Sequence, residues 1–298
     1  KEVKGIIKKE KPDVIHFLYG DVFYKYFGLG LEGLKKKYKV VNTIHALKKG
    51  WIGIVSLKRI MRLSSVGVVH TDAIFNEVKD AGIENVVHIE YPHFSTGYEI
   101  DKAGARKYYD LSEDAFVLGC LGGTRYDKGL DILLKAMQGV TGDFELLVAG
   151  SEDAIKREKI EELARTYRDQ VKLHLKFLTD EEYDIAIQAV DAIVLPYRKT
   201  FNGASGPLGE GVAKGKMIIA ANHGSLGDTV EKNHLGYTFE SENVEALSKV
   251  LNTVVQSCTF KYDTSALMYM NTISINTFRK KYRGIYRRYM NERARERK

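Results

Sequence analysis

Short apolar runs of four to six residues alternate along the chain with stretches whose apolar positions recur every three or four residues. That alternation predicts strands interleaved with helices, and so a parallel α/β architecture. In the first third it predicts helices over 1–10, 22–37, 50–63 and 72–80, and strands over 13–17, 39–44, 66–70 and 85–89. Residues 91–108, with a Pro, a Gly and many polar side chains, break the pattern and read as a linker. A second series follows, with strands over 116–121, 144–148, 171–177, 192–195 and 217–221. Its helices fall over 130–137, 154–168, 181–190 and 244–255, with a short one opening near Pro207. The expected organisation is two successive doubly wound domains, residues 1–110 and 111–275, and a basic helix over 276–298. Ligands of such sheets sit outside the carboxyl ends of the strands.

Composition adds bounds. The chain of 298 residues is 44% hydrophobic and 29% charged, values of an ordinary globular protein long enough for two cores. No apolar run approaches the ~18–20 residues of a membrane-spanning helix, and no leader pattern is visible. Two cysteines, Cys120 and Cys258, make no disulfide framework, and Cys120 falls in a strand pattern as a buried thiol; a reducing, cytoplasmic setting is expected. The net charge of +7 is localised: Arg279–Lys298 carries ten Lys/Arg against two Glu, which leaves −1 for the rest. A near-neutral body argues against a nucleic-acid-binding protein. The chain opens at Lys1, already inside a helix–strand pattern, and reads as starting in mid-domain.

Two stretches carry candidate chemistry. In Leu195–Asn222, a strand ends at Pro196 and a loop of small residues (Gly203, Ala204, Ser205, Gly206) leads into a helix bearing Glu210. Small residues admit a ligand close to the backbone, and the free amides of a helix start favour an anion such as phosphate. Glu210, about one turn on, can accept hydrogen bonds from hydroxyls attached to that phosphate. In Gly122–Gly129, a strand ends in two glycines, and Arg125 and Lys128 precede a helix. Arg offers a planar fork for phosphate oxygens and Lys a mobile point charge. Either stretch alone fits an ordinary turn; together they favour a phosphate site.

The order Gly123, Arg125, Lys128, Gly129, then Asp191 to Pro196, then SGPLGEGVAKGKMIIA resembles the retaining glycosyltransferases of the two-domain B-type (GT-B) fold, in the large family called glycosyl transferases group 1. The resemblance spans about 12–289 and is strongest over 116–231. It implies two Rossmann-like domains facing across a cleft, the first incomplete here, because the family's N-terminal glycine-rich loop would precede Lys1. It implies a nucleotide-sugar donor bound by the C-terminal domain, with Arg125, Lys128, Ser205 and Gly206 on the diphosphate and Glu210 on the ribose. No metal and no other cofactor is implied. Asn202 stands eight positions before Glu210, where the family often has a Glu, and keeps the ability to bond a sugar hydroxyl. The Arg-to-Lys spacing is shorter than in many members. His45 resembles the family's sugar-facing histidine, and with Asn202 completes the implied catalytic pair. His16 matches a frequent residue on the acceptor side.

The implied activity is transfer of a sugar from a nucleoside-diphosphate sugar to a glycan or lipid-linked acceptor, with retention. The alternatives left open are a non-catalytic nucleotide-sugar-binding chain, a truncated inactive fragment, and an epimerase of the same fold. Of the aromatic cluster Tyr19, Phe23, Tyr24, Tyr26 and Phe27, most are expected in the core, with one or two turned to an acceptor or lipid surface. In the tail, Phe278, Tyr282, Ile285, Tyr286 and Tyr289 share one helix face. They are expected to pack on the protein, while the basic flanks over 279–298 touch anionic lipid at the inner membrane face.

Overall fold

Two parallel sheets organise the chain, each with helices on both faces. The computed structural model describes residues 2–48, 50–94, 97–201, 203–257 and 259–296; Asn202 and Cys258 lie outside them. The chain divides into two units, one of Lys1–Tyr91 with Ile275–Lys298, the other Pro92–Ser274.

Unit 1 runs through helix α1 (Glu2–Glu10), strand β1 (Val14–Phe17), helix α2 (Leu34–Lys37), β2 (Lys39–Ile44), α3 (Trp51–Arg62), β3 (Val66–Val69), α4 (Asp72–Asp80) and β4 (Val86–His88). Its four strands pair in chain order, all parallel. Side-chain alternation along them sorts two layers: Val40, Ile44 and Val69 meet α3 and α4, while Val41, Val66 and Val68 face the other way. Of the helix expected over 22–37 only the last turn forms, as α2. A 3-10 turn occupies Gly20–Tyr26, and Phe27, Gly28, Gly30 and Gly33 take left-handed φ of 51°, 75°, 97° and 77°, a set no α-helix passes through.

Unit 2 comprises α5 (Lys102–Tyr108), β5 (Phe116–Leu121), α6 (Leu130–Met137), β6 (Phe144–Ala149), α7 (Arg157–Leu163), β7 (Val171–His174), α8 (Asp180–Ala189), β8 (Ala192–Leu195), α9 (Gly206–Ala213), β9 (Met217–Ala221), α10 (Gly224–Lys232), β10 (Gly236–Phe239), α11 (Val244–Ser257) and α12 (Thr264–Thr272). Its sheet has the order β10-β9-β8-β5-β6-β7, so the winding reverses between β5 and β8. The sequence pattern missed α10, β10 and α12. It also read 91–108 as linker, whereas α5 belongs to unit 2. Asp101 caps α5 by accepting the Gly104 N–H at 2.7 Å, and Arg106, 2% exposed, reaches Asp191 at 2.6 Å and the Ala189 carbonyl at 3.2 Å. The division therefore falls at Tyr91–Pro92 rather than after residue 110.

The last helix, α13 (Ile275–Glu296), belongs with unit 1. Its stripe of Phe278, Tyr282, Ile285, Tyr286 and Tyr289 covers the sheet face of Val41, Val66 and Val68, opposite α3.

Candidate functional site

The carboxyl ends of β5 and β8, where the unit 2 sheet reverses direction, are where a doubly wound sheet holds its ligand. After β5 the chain turns at Gly122 (φ +104°), and a Cβ there would lie 2.6 Å from Lys128 Nζ; the ammonium rests on bare backbone. Gly129 (φ +66°) packs so tightly on the end of β8 that a Cβ would meet the Pro196 carbonyl at 2.0 Å. Only glycine lets the two loops touch. Lys128 Nζ also lies 5.8 Å from the centre of the buried Tyr197 ring. Among the described residues no carboxylate pairs with it, and loss of water lowers its pKa. A half-buried cation without an ion pair is costly, and an anionic ligand removes the cost.

Arg125 beside it is half-exposed and folded onto Asp127, Nε to Oδ1 at 2.9 Å and Nη2 to Oδ2 at 2.5 Å. That fork holds the Asp127 carboxyl below its usual range. From the β8 loop, Ser205 caps α9: its Oγ accepts the Leu208 N–H at 3.3 Å and lies 3.3 Å from the Tyr197 hydroxyl. Gly206 follows with open space where a Cβ would be. Glu210, 8% exposed, accepts the Phe94 N–H on Oε1 at 2.5 Å.

The same sheet-end logic applies in unit 1. His45 follows β2, with its backbone N–H and that of Ala46 donated to Asp21 at 2.9–3.2 Å. Its Nε2 lies 2.8 Å from the Leu18 carbonyl, and its ring stacks on Tyr19 (5.0 Å) and leans on His70 (5.1 Å). His70, 4% exposed with Nδ1 at 2.8 Å from the Ile89 carbonyl, has its pKa lowered to about 4 by burial. His16 sits elsewhere, within β1. Its Nδ1 meets the Tyr286 hydroxyl at 2.7 Å and its Nε2 the Thr43 hydroxyl at 2.8 Å, and Tyr282 stacks on it at 5.3 Å. Both ring nitrogens are thus engaged beneath α13, and burial lowers the pKa to about 4.

Residues 101–262, more than half of the chain, match the family described as Glycosyl transferases group 1. The chain belongs to that family. Among curated relatives it is similar to a glycogen synthase of Rhodopseudomonas palustris (strain BisB18), 25% identical over 222 residues, 71% of this chain and 43% of that protein. A glycogen synthase of Thioalkalivibrio sulfidiphilus (strain HL-EbGR7) is 29% identical over 146 residues, 45% of this chain and 30% of its own. The chain spans less than half the length of these relatives. Among solved structures it resembles a sucrose-phosphate synthase from Thermosynechococcus elongatus, with a TM-score of 0.81 at 17% identity over 97% of this chain and 77% of that one. Anabaena HepE in complex with UDP gives 0.78 at 16% identity over 95% and 81%. These likenesses establish the GT-B glycosyltransferase fold.

Within this member of the glycosyl transferases group 1 family, the residues singled out from sequence fall in three places. Arg125 and Lys128 lie in the loop after β5, Ser205 and Gly206 at the start of α9 and Glu210 within that helix. His45 directly follows β2 of unit 1, and His16 lies under α13. Asn202 is outside the described residues. Sequence reasoning missed Arg198, which ties the two loops together. Its guanidinium grips Asp131 in two bonds (2.9 and 2.8 Å), donates to the Tyr126 carbonyl at 2.8 Å and stacks on the Tyr126 ring at 3.9 Å. Its backbone N–H reaches the Asp127 carbonyl at 2.9 Å. The available signal was an Arg directly after a strand-end Pro-Tyr and an Asp opening the helix that follows the first loop.

Proposed function

We propose that this group 1 family member transfers a sugar from a nucleoside-diphosphate sugar to a glycan or lipid-linked acceptor, with retention of configuration. The observation that carries the reading is Lys128: a desolvated ammonium without an ion pair among the described residues, at the reversal point of the unit 2 sheet. As the bond from the anomeric carbon to the donor phosphate breaks, negative charge grows on the diphosphate. Lys128, Arg125 and the amides that open α9 at Gly206 oppose it, more strongly in the transition state than in the ground state. Arg125 exchanges Asp127 for phosphate oxygens when the donor binds. Glu210 accepts the ribose hydroxyls. Asn202 orients the sugar, and His45 serves the acceptor side. HepE was crystallised with UDP and with UDP-glucose, which makes uridine donors the first to try.

The test is calorimetric titration with UDP, ADP and GDP, then NMR of the product formed from the donor whose diphosphate binds. Micromolar binding and a product with the donor's anomeric configuration are expected. Binding without turnover would leave a non-catalytic nucleotide-sugar-binding chain, and an inverted product would refute retention.

A further inference from the structure

We propose that the face of unit 1 built from the 3-10 turn Gly20–Tyr26 and helix α3 docks on an anionic lipid bilayer. Large apolar side chains stand out of this face: Tyr19 is 69% exposed, Val22 63%, Tyr26 55%, Trp51 74%, Ile52 53% and Val55 48%. The aromatic cluster expected mostly in the core is therefore mostly at the surface, with Tyr24 its one fully buried member. The two segments form one surface. Ser56 Oγ donates to the Tyr24 carbonyl at 3.1 Å, and Lys48 Nζ lies 5.9 Å from the Tyr24 ring centre.

Charge selects the occupant. The turn and α3 with the loop that leads into it, residues 19–27 and 47–62, hold six Lys/Arg and one acid, Asp21, which the His45 and Ala46 amides engage. With the basic tail, these stretches leave the remainder of the chain net negative. Aromatic and β-branched side chains set among lysines suit the boundary between acyl chains and anionic headgroups. An acidic protein would satisfy the charges, but protein interface cores are depleted in lysine, and a bilayer fits the mixture better. The tail is the competing lipid contact. Its aromatic stripe already covers the opposite face of the sheet, so among its described residues cations and Met290 are what it offers a bilayer. Tyr19, on the docking face, stacks on His45. Taken with the transferase reading, on which this last step rests, that neighbour makes the acceptor a lipid-borne one.

Trp51 is the single tryptophan of the chain and reports on this face directly. The full chain is sedimented with phosphatidylcholine vesicles, with and without phosphatidylglycerol, while Trp51 emission is recorded. We expect binding about tenfold or more tighter to the anionic vesicles, weakened by salt, with a blue shift. The triple variant Trp51→Ser, Ile52→Ser, Val55→Ser abolishes binding with Tm and nucleoside-diphosphate affinity unchanged, while Ile52→Ser, Val55→Ser alone keeps the tryptophan and loses the shift. Exchange of Arg287, Arg288, Arg293 and Arg295 for Gln leaves the shift in place. The proposal is overturned if anionic vesicles are not preferred at low salt, if the tail variant alone abolishes binding, or if the triple variant instead dissolves a self-associated form in sedimentation. Vesicle binding without affinity for any nucleoside diphosphate would overturn the transferase reading and leave the docking face intact.

Discussion

Lys128 and Arg198 are two cations a few residues apart in space with opposite tasks. Lys128 has no ion pair among the described residues, so Lys128→Ala removes a ligand contact and relieves a desolvated charge. Nucleoside-diphosphate affinity should fall by roughly 1.5–3 kcal/mol, about tenfold to a hundredfold in Kd, with Tm unchanged or raised. Calorimetry paired with a melt reads both. Arg198 is bound to Asp131 at 8% exposure, so Arg198→Ala strands a carboxylate and loosens both loops. Unit 2 should lose about 3 kcal/mol in a denaturant titration, with affinity falling alongside. Glu210→Gln should weaken UDP binding more than pyrophosphate binding, since a ribose contact is absent from pyrophosphate; equal losses in competition titrations would make Glu210 a purely structural group. The two strand-end turns that carry Arg125, Lys128 and Ser205 were legible because glycines and a helix-start Pro bracket them in sequence. Arg198 was not, because an Arg-Lys pair after a strand reads as a solvated turn, and its partner Asp131 stands far back in the sequence, in the first turn of α6.

Among the elements, α13 illustrates how a helix face and a strand histidine fix each other. His16, threaded between Tyr286, Thr43 and Tyr282, stays neutral, as does His70. Each has a folded pKa of about 4 against an ordinary 6.5. The unfolded chain therefore takes up protons that the folded chain refuses. Their contribution is fully present above pH 6.5 and is lost as the pH falls towards 4, by about 1.4 kcal/mol per pH unit for each histidine within that window. His16→Gln should remove one proton's share of that slope, measured as chemical denaturation against pH relative to the parent chain. Strands such as β8 and β9 and helices such as α4 and α6 matched their sequence pattern because an apolar run between turn residues has one way to be buried. The stretch 22–37 did not. Its apolar residues recur at helical spacing, but three glycines at left-handed φ interrupt them, and the spared side chains become a surface. The edge strand β10 escaped notice because, half-exposed, it carries no apolar run.

For the molecule as a whole, the division into units matters more than the count of elements. The sheet of unit 2 is covered on both faces by helices from its own residues. A chain of residues 92–274 should therefore fold cooperatively and bind nucleoside diphosphate within about threefold of the parent, roughly 0.6 kcal/mol, as judged by calorimetry. Removing 275–298 from the full chain should leave that affinity but expose the Val41, Val66 and Val68 face and destabilise unit 1.

The return of α13 also sets a timetable for synthesis. A ribosome releases the strands of unit 1 before unit 2, yet the helix that roofs one side of their sheet only after it. At about 5–20 residues per second, the intervening stretch of about 180 residues takes on the order of ten to forty seconds. Through that interval the nascent sheet presents a bare valine-rich face, while unit 2 can complete itself as it emerges. A chaperone that recognises extended apolar strands has its natural opportunity there, and unit 2 matures before the unit whose residues precede it.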